Sequence, residues 1–145
     1  MSKPTDVHLI DAKRILRCLN GTVDYGIFLQ PSPLSLLAFS NSNWAGDPNG
    51  RQSTTGYLVY LGYNPITWSA KKQLTISRSS TKSEYRALAS TTVELCWLHQ
   101  LLKDLGIFLS NPHKLWCDND SALAIASNSM FHAKTKHIEV DYHFI

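Results

Sequence analysis

Three segments set acids, or the amides of acids, where elements begin or end. They are Phe39-Ser40-Asn41-Ser42-Asn43-Trp44-Ala45-Gly46, Ser79-Ser80-Thr81-Lys82-Ser83-Glu84-Tyr85-Arg86-Ala87-Leu88 and Trp116-Cys117-Asp118-Asn119-Asp120-Ser121-Ala122. A fourth, Thr135-Lys136-His137-Ile138-Glu139-Val140-Asp141, adds two acids near the C-terminus. Carboxylate oxygens are hard ligands, suited to magnesium and similar cations. No single segment supplies enough of them to surround an ion, so the ligands must converge from separate elements. Taken singly, each acid has an ordinary use. A Glu in the first turns of a helix serves the macrodipole or a capping box, and an Asp ahead of Asn119-Asp120-Ser121 reads as an N-cap. The ordered set, rather than any one member, points to a divalent-cation site.

The elements that must carry these residues can be read from pattern. Thr5 and Asp6 cap a short amphipathic helix whose apolar side is Val7, Leu9, Ile10, Ile15 and Leu16, stopped at Asn20-Gly21. Asp24 to Gln30 reads as a strand, broken by Pro31-Ser32-Pro33. Leu34 to Asn41 is the next strand, and Asp47-Pro48-Asn49-Gly50 turns the chain. Thr55 to Leu61 alternates, with Tyr57, Val59 and Leu61 on one face; Gly62-Tyr63-Asn64-Pro65 turns, and Ile66 to Ser69 returns. Ser79 and Ser80 open a long helix with Leu88, Leu95, Leu98, Leu102 and Leu105 at helical spacing, ended by Gly106. Leu115 to Cys117 is a short strand, Ser121 to Ser127 a helix, and a last helix opens near Ile138 and is cut at Ile145. Antiparallel strands followed by parallel β-α additions predict an α/β fold with a mixed five-stranded sheet and helices on its faces.

In order and over nearly the whole chain, these segments resemble the ribonuclease H domain of copia-type (LTR) retrotransposon polyproteins. The resemblance implies the ribonuclease H-like architecture, with residues 1–33 as a helix and strand preceding the nuclease core and residues 34–145 as the core, here freestanding from its polymerase. It implies catalytic positions at Asn41, Glu84, Asp118 and an acid among Glu139 and Asp141. Glu139 is favoured, because the acid follows the His-Ile pair in such sequences. Asn41, Glu84, Asp118 and Glu139 would then hold two Mg2+ or Mn2+ ions. The implied reaction is hydrolysis of the RNA strand of an RNA/DNA hybrid, with double-stranded RNA, which shares its A-like shape, as a second substrate. One departure bears on activity. The family pattern reads Ser-Asp-x-Asp-Trp-Ala-Gly, and this chain has Asn41 and Asn43 there. An amide at position 41 keeps a carbonyl oxygen but no charge to offset a dication, so the chain is expected to be weakened or inactive. Asn43 is expected to lie peripheral to the metals. A non-catalytic module that binds duplex nucleic acid stands as the alternative function.

Basic and hydroxyl side chains flank the motifs. Arg51, Ser53, Thr54, Arg78, Ser79, Lys82, Lys136 and His137 are the candidate nucleic-acid contacts, meeting phosphates without reading sequence. Scattered Lys and Arg are ordinarily solvated surface, and Arg51 and Arg78 stand out by their place beside the motifs. Trp44 is read as packing beneath the site, with stacking on a sugar as the alternative, and Trp68, Trp97 and Trp116 read as core. The chain has 145 residues, 43% hydrophobic content and a net charge of +3, which suits one domain and permits a nucleic-acid partner without requiring it. Cys18, Cys96 and Cys117 match no zinc spacing or disulfide framework and read as buried free thiols of a reducing compartment. With no membrane-length apolar run and no signal-peptide pattern, the expectation is a cytoplasmic or nuclear protein that is not secreted, monomeric by default.

Overall fold

A computed structural model describes residues 3–127. Seven elements follow in order: α1 (Asp6–Asn20), β1 (Leu36–Asn43), β2 (Thr54–Leu61), β3 (Asn64–Lys72), α2 (Ser80–Asp104), β4 (Lys114–Cys117) and α3 (Asp120–Ser127). The four strands form one mixed sheet in the order β3-β2-β1-β4. β1 and β2 are antiparallel, as are β2 and β3, while β4 joins β1 in parallel. A parallel neighbour requires a crossover, and α2 supplies it.

Alternation decides what each face of the sheet does. In β1, Leu36, Ala38, Ser40 and Ser42 are buried, while Phe39, Asn41 and Asn43 are exposed. The buried row meets α2. Leu36, Ala38 and Val59 from the sheet pack with Leu95, Leu98 and Leu102 from the helix, and Tyr57, Leu61, Ile107, Leu109 and Leu115 close around them. Each fully buried leucine contributes about 1.5–3 kcal/mol through area removed from water. A second cluster, Tyr85 with Ala122, lies between α2 and α3 near the start of the long helix.

Both ends of α2 have local causes. The Ser79 hydroxyl accepts the Lys82 N–H, capping the first turn. At the other end Gly106 takes φ +78, its N–H bonds to Lys103 O and the Ile107 N–H to Leu102 O. That is a Schellman closure, with Ile107 packed on the core beside Leu102. Beyond it, His113 Nε2 and His99 Nδ1 lie 2.8 Å apart, tying the approach to β4 back onto α2. Burial of His113, reinforced by the neighbouring His99 ring, lowers its pKa.

The sheet has four strands among the described residues, not five. Asp24 to Gln30 stays outside it. This segment meets the sheet at Gln30, whose N–H and C=O are both bound by the Asn64 side-chain amide at 2.8 Å. Pro31 and Pro33, which lack N–H donors, follow directly, so no ladder can propagate. The tryptophans are corrected too. Trp68 and Trp116 are each 59% exposed and Trp97 57%. The first two stand on the sheet face opposite α2, in one row with Phe39 and Leu58 across the four strands. Trp97 stands on α2 beside the exposed Val93 and Leu101, turned from the sheet. Cys18 and Cys96 are exposed rather than buried, while Cys117 is half-buried against the Tyr85–Ala122 cluster. Helix α1 starts at Thr5 and stops at Gly21 as its sequence predicts, yet buries none of its residues. No described helix is long and apolar enough to cross a membrane.

The two-residue turn between β2 and β3 places Gly62 at φ +61, and a side chain there would run into Ser32 and the Pro33 carbonyl. Gly106 has a similar φ but open space around it. Gly106→Ala is therefore expected to cost about 1–2 kcal/mol, the conformational penalty alone. Gly62→Ala should cost more, through overlap with backbone. Urea unfolding of the two variants checks this, and equal losses would mean that the Ser32-Pro33 segment yields freely.

Candidate divalent-cation site

The site lies where the C-terminal ends of β1 and β4 meet the first turns of α2. Its inner row on β1 changes character along the strand. Leu36 and Ala38 pack into the core, and the next two inward positions are Ser40 and Ser42, buried but polar. Small hydroxyl residues leave room there for a carboxylate. Glu84 occupies it, 6% exposed, with Oε1 accepting the Ser42 backbone N–H at 2.9 Å. Its other oxygen, Oε2, is buried without a partner, as are the hydroxyls of Ser40 and Ser42.

Asp118 comes from the parallel strand. The β1–β4 register pairs Ser40 with Cys117. Carried one residue on, it sets Asp118 beside Asn41, and both are exposed. Glu84, Cys117 and Asp118 each present a ligand atom within 4.8 Å of the others. A helix and two strand ends thus deliver Glu84 and Asp118 to one place, with Asn41 alongside. Asn41 is exposed near the end of β1, on the sheet face opposite the buried Ser40 and Ser42. Asn43 lies further out, its side chain against Gly46 in the turn that follows β1. Glu139 and Asp141 lie outside the described residues, as do Lys136 and His137.

Electrostatics follow from burial. Desolvation raises the Glu84 pKa above the ordinary carboxylate value, the Ser42 N–H opposes this, and the charge of Asp118 adds to the rise. The Cys117 thiol is also raised, chiefly by burial, with smaller contributions from Glu84 and Asp118.

The expected nucleic-acid contacts divide. Arg51 is exposed in the β1–β2 connection at φ +52, its N–H bound to Asp47 O. Arg78 and Ser79 are exposed at the start of α2, with Lys82 one turn on. Thr54 is half-buried at the start of β2, paired with Asn43 and Lys72. Ser53 is corrected: it is fully buried, and its hydroxyl accepts the Ala45 N–H, so it holds the turn and cannot face a phosphate. The Lys72 ammonium lies 3.1 Å from Asp47 and holds that carboxyl below its ordinary range.

Sequence reading missed the network that aims the start of α2. Gln73 is buried and donates to Thr55 Oγ1 and Ser83 O, while Ser77 donates to Gln73 Oε1. Arg86 reaches Ser77 Oγ and Thr75 O, and the Trp44 indole donates to Ser77 O at 3.0 Å. Trp44 is therefore a half-exposed clamp on this connection rather than core. The signal available was Gln73 itself, a polar residue just after a strand, which is ordinarily surface.

No protein-family model matches the chain, and no solved structure matches it significantly. Along its whole length it is similar to the retrovirus-related Pol polyprotein from transposon RE2 of Arabidopsis thaliana, 52% identical over 146 aligned positions. It is likewise 51% identical over 146 positions to that from transposon RE1 of the same plant. The Pol polyprotein from transposon TNT 1-94 of Nicotiana tabacum is 37% identical over 145 positions. These alignments cover 100% of this chain and 10%, 10% and 11% of those proteins, so the chain spans about a tenth of their length.

The raised Glu84 pKa has a consequence for stability. The native chain holds this proton more tightly than the unfolded chain, so stability falls as pH rises from the ordinary carboxylate value through the raised one. Glu84→Gln, which keeps an acceptor for Ser42, is expected to melt higher than the parent near pH 7 in chelator. The difference should close toward pH 4. Thermal melts across that range check it; a lower melting temperature for the Gln form at pH 7 would make the acid a structural requirement.

Proposed function

This chain belongs to the sequence family of the retrovirus-related Pol polyproteins of transposons, as a homologue of one segment of them, and from that premise we propose that it is a ribonuclease H-type nuclease domain. In this reading residues 1–33 lead into a nuclease core of residues 34–145. The substrate is the RNA strand of an RNA/DNA hybrid, with double-stranded RNA as a second substrate of similar shape. One observation carries the proposal. Glu84 from a helix and Asp118 from a strand end bring carboxylate oxygens within 4.8 Å of each other, where β4 runs parallel to the strand that carries Asn41.

The residues fit a pair of hard cations in part. Two carboxylates, those of Glu84 and Asp118, are the donors that magnesium or manganese takes, and one Glu84 oxygen is buried without a partner. When bound, such ions supply an activated water and stabilise the leaving oxygen of the phosphodiester. The chain's own contribution is positional. The Ser42 N–H fixes one Glu84 oxygen and leaves the other free to coordinate. Asp118 stands on the open side, where a phosphate can approach. Arg51, Arg78 and Lys82, which flank the motifs in sequence, would meet the phosphates of the duplex backbone independently of sequence. Asn41 supplies a carbonyl oxygen where a third charge would strengthen the pair, so the chain as it stands is an impaired nuclease.

Cleavage of labelled hybrid and double-stranded RNA, titrated with Mg2+ and with Mn2+, tests this. Asn41→Asp is expected to raise activity and metal affinity together by an order of magnitude or more, since metal-assisted phosphoryl chemistry depends on charge at the ions (roughly tenfold for each 1.4 kcal/mol). Asn43→Asp should do much less. Duplex binding in chelator should be similar for all three. Rescue by Asn43→Asp instead would reassign the metal position, and binding without cleavage in every form would make the chain a duplex-binding module.

A further inference from the structure

Cys117 has no part in the hydrolysis proposed above, yet its sulfur lies in the same 4.8 Å group as the oxygens of Glu84 and Asp118. Hard cations leave a thiol unused. Zinc and its thiophilic relatives take sulfur, carboxylate oxygen and water together, at roughly 2.3 Å to sulfur and about 2.0 Å to oxygen. Small rotations of three side chains already within 4.8 Å would bring them to such a centre. The second observation is independent of proximity. Glu84 is more than nine-tenths buried, and its Oε2 has no partner, so it is an acceptor held in place for something to bind. The approach is open, because Cys117 is half-buried and Asp118 exposed.

We propose that Cys117, Glu84 and Asp118 together hold a single thiophilic divalent cation, zinc foremost. Binding forms a metal–sulfur bond and breaks the Cys117 S–H bond, whose proton passes to solvent; no electrons are exchanged. The fourth position is left to water, as in sites with three protein ligands. Because the ion uses the Glu84 and Asp118 oxygens, it excludes magnesium from them. With an uncharged amide at position 41, the hard ligand set is short of one charge while the thiol is intact, so the balance tilts toward the softer ion. The inhibitory consequence rests on the nuclease reading; the binding itself does not.

The test uses the full chain carrying Cys18→Ser and Cys96→Ser, which removes the two exposed thiols. Titration with Co2+ alone is expected to give one equivalent of binding with a sulfur-to-cobalt charge-transfer band, and Zn2+ alone should bleach it. Adding Cys117→Ser should abolish the band and weaken Zn2+ binding by at least about tenfold, the loss that even an outer partner costs a metal site. Glu84→Gln, made separately, should weaken Zn2+ binding while leaving some sulfur–cobalt absorption. Absence of the band in the reference chain, or Zn2+ binding unchanged by both variants, overturns the proposal. These titrations need no nucleic acid, so an inactive nuclease would leave them standing, and an active nuclease lacking the band would overturn this inference alone.

Discussion

The Glu84 carboxylate bonded to the Ser42 backbone N–H is the contact on which the site's geometry depends. It joins the start of a 25-residue helix to the central strand at the level where two neighbouring strands end. A buried carboxylate is costly unless it is hydrogen-bonded or neutralised. Here one oxygen is satisfied and the other is not. The rest of α2 stabilises this arrangement through apolar contact further along, where Leu95, Leu98 and Leu102 meet Leu36, Ala38 and Val59. The helix is thus divided by function along its length. Its later turns supply hydrophobic burial, and its first turns hold a charge in a poorly solvated place.

The helix start is held by Tyr85 packed against Ala122, and the buried charge beside it also needs polar support. The Gln73, Ser77, Arg86 and Trp44 network supplies it, linking the connection before α2 to β2 and to the turn after β1. Networks of this kind specify one arrangement when every member is paired, and they are costly when broken. Ser53 plays the same part on the other side, holding the β1 turn from inside. The residues around the acids are therefore of two sorts. Some face solvent and can meet a ligand; others spend their polar groups on keeping the acids in place.

The same pocket offers ligands of two kinds. Oxygen donors from Glu84 and Asp118 suit hard cations, and the Cys117 sulfur suits soft ones. Which kind prevails depends on charge as well as softness. An amide at position 41 withholds charge from the hard set without touching the thiol, so a one-atom difference in a side chain bears on metal choice as well as on rate.

The order of elements, the turns and the caps were legible in the chain because each rests on short-range physics. Ser79 caps and Gly106 terminates α2 through bonds to residues within a few positions, and the alternation of Tyr57, Val59 and Leu61 faces one way because the pleat has period two. The grouping of Glu84 with Asp118 was also legible, though only from the ordered motifs together. What the chain could not disclose was the environment of each side chain. An apolar residue is buried only if another element covers it, so Trp68 and Trp116 read as core and stand exposed on the sheet face opposite α2. Asp24 to Gln30 has strand composition, yet a strand exists only if a neighbour pairs along it, and Asn64 meets this segment at Gln30, its last residue. Ser53 and Gln73 look like surface and are buried, because long-range packing closed over them and gave their polar groups partners. Cys117 is the sharpest case. Its neighbour Asp118 was evident from the motif, but a thiol acquires meaning only from what lies beside it in space. The sequence determined which groups could coordinate; the register of β4 on β1 and the descent of α2 decided which of them share a centre.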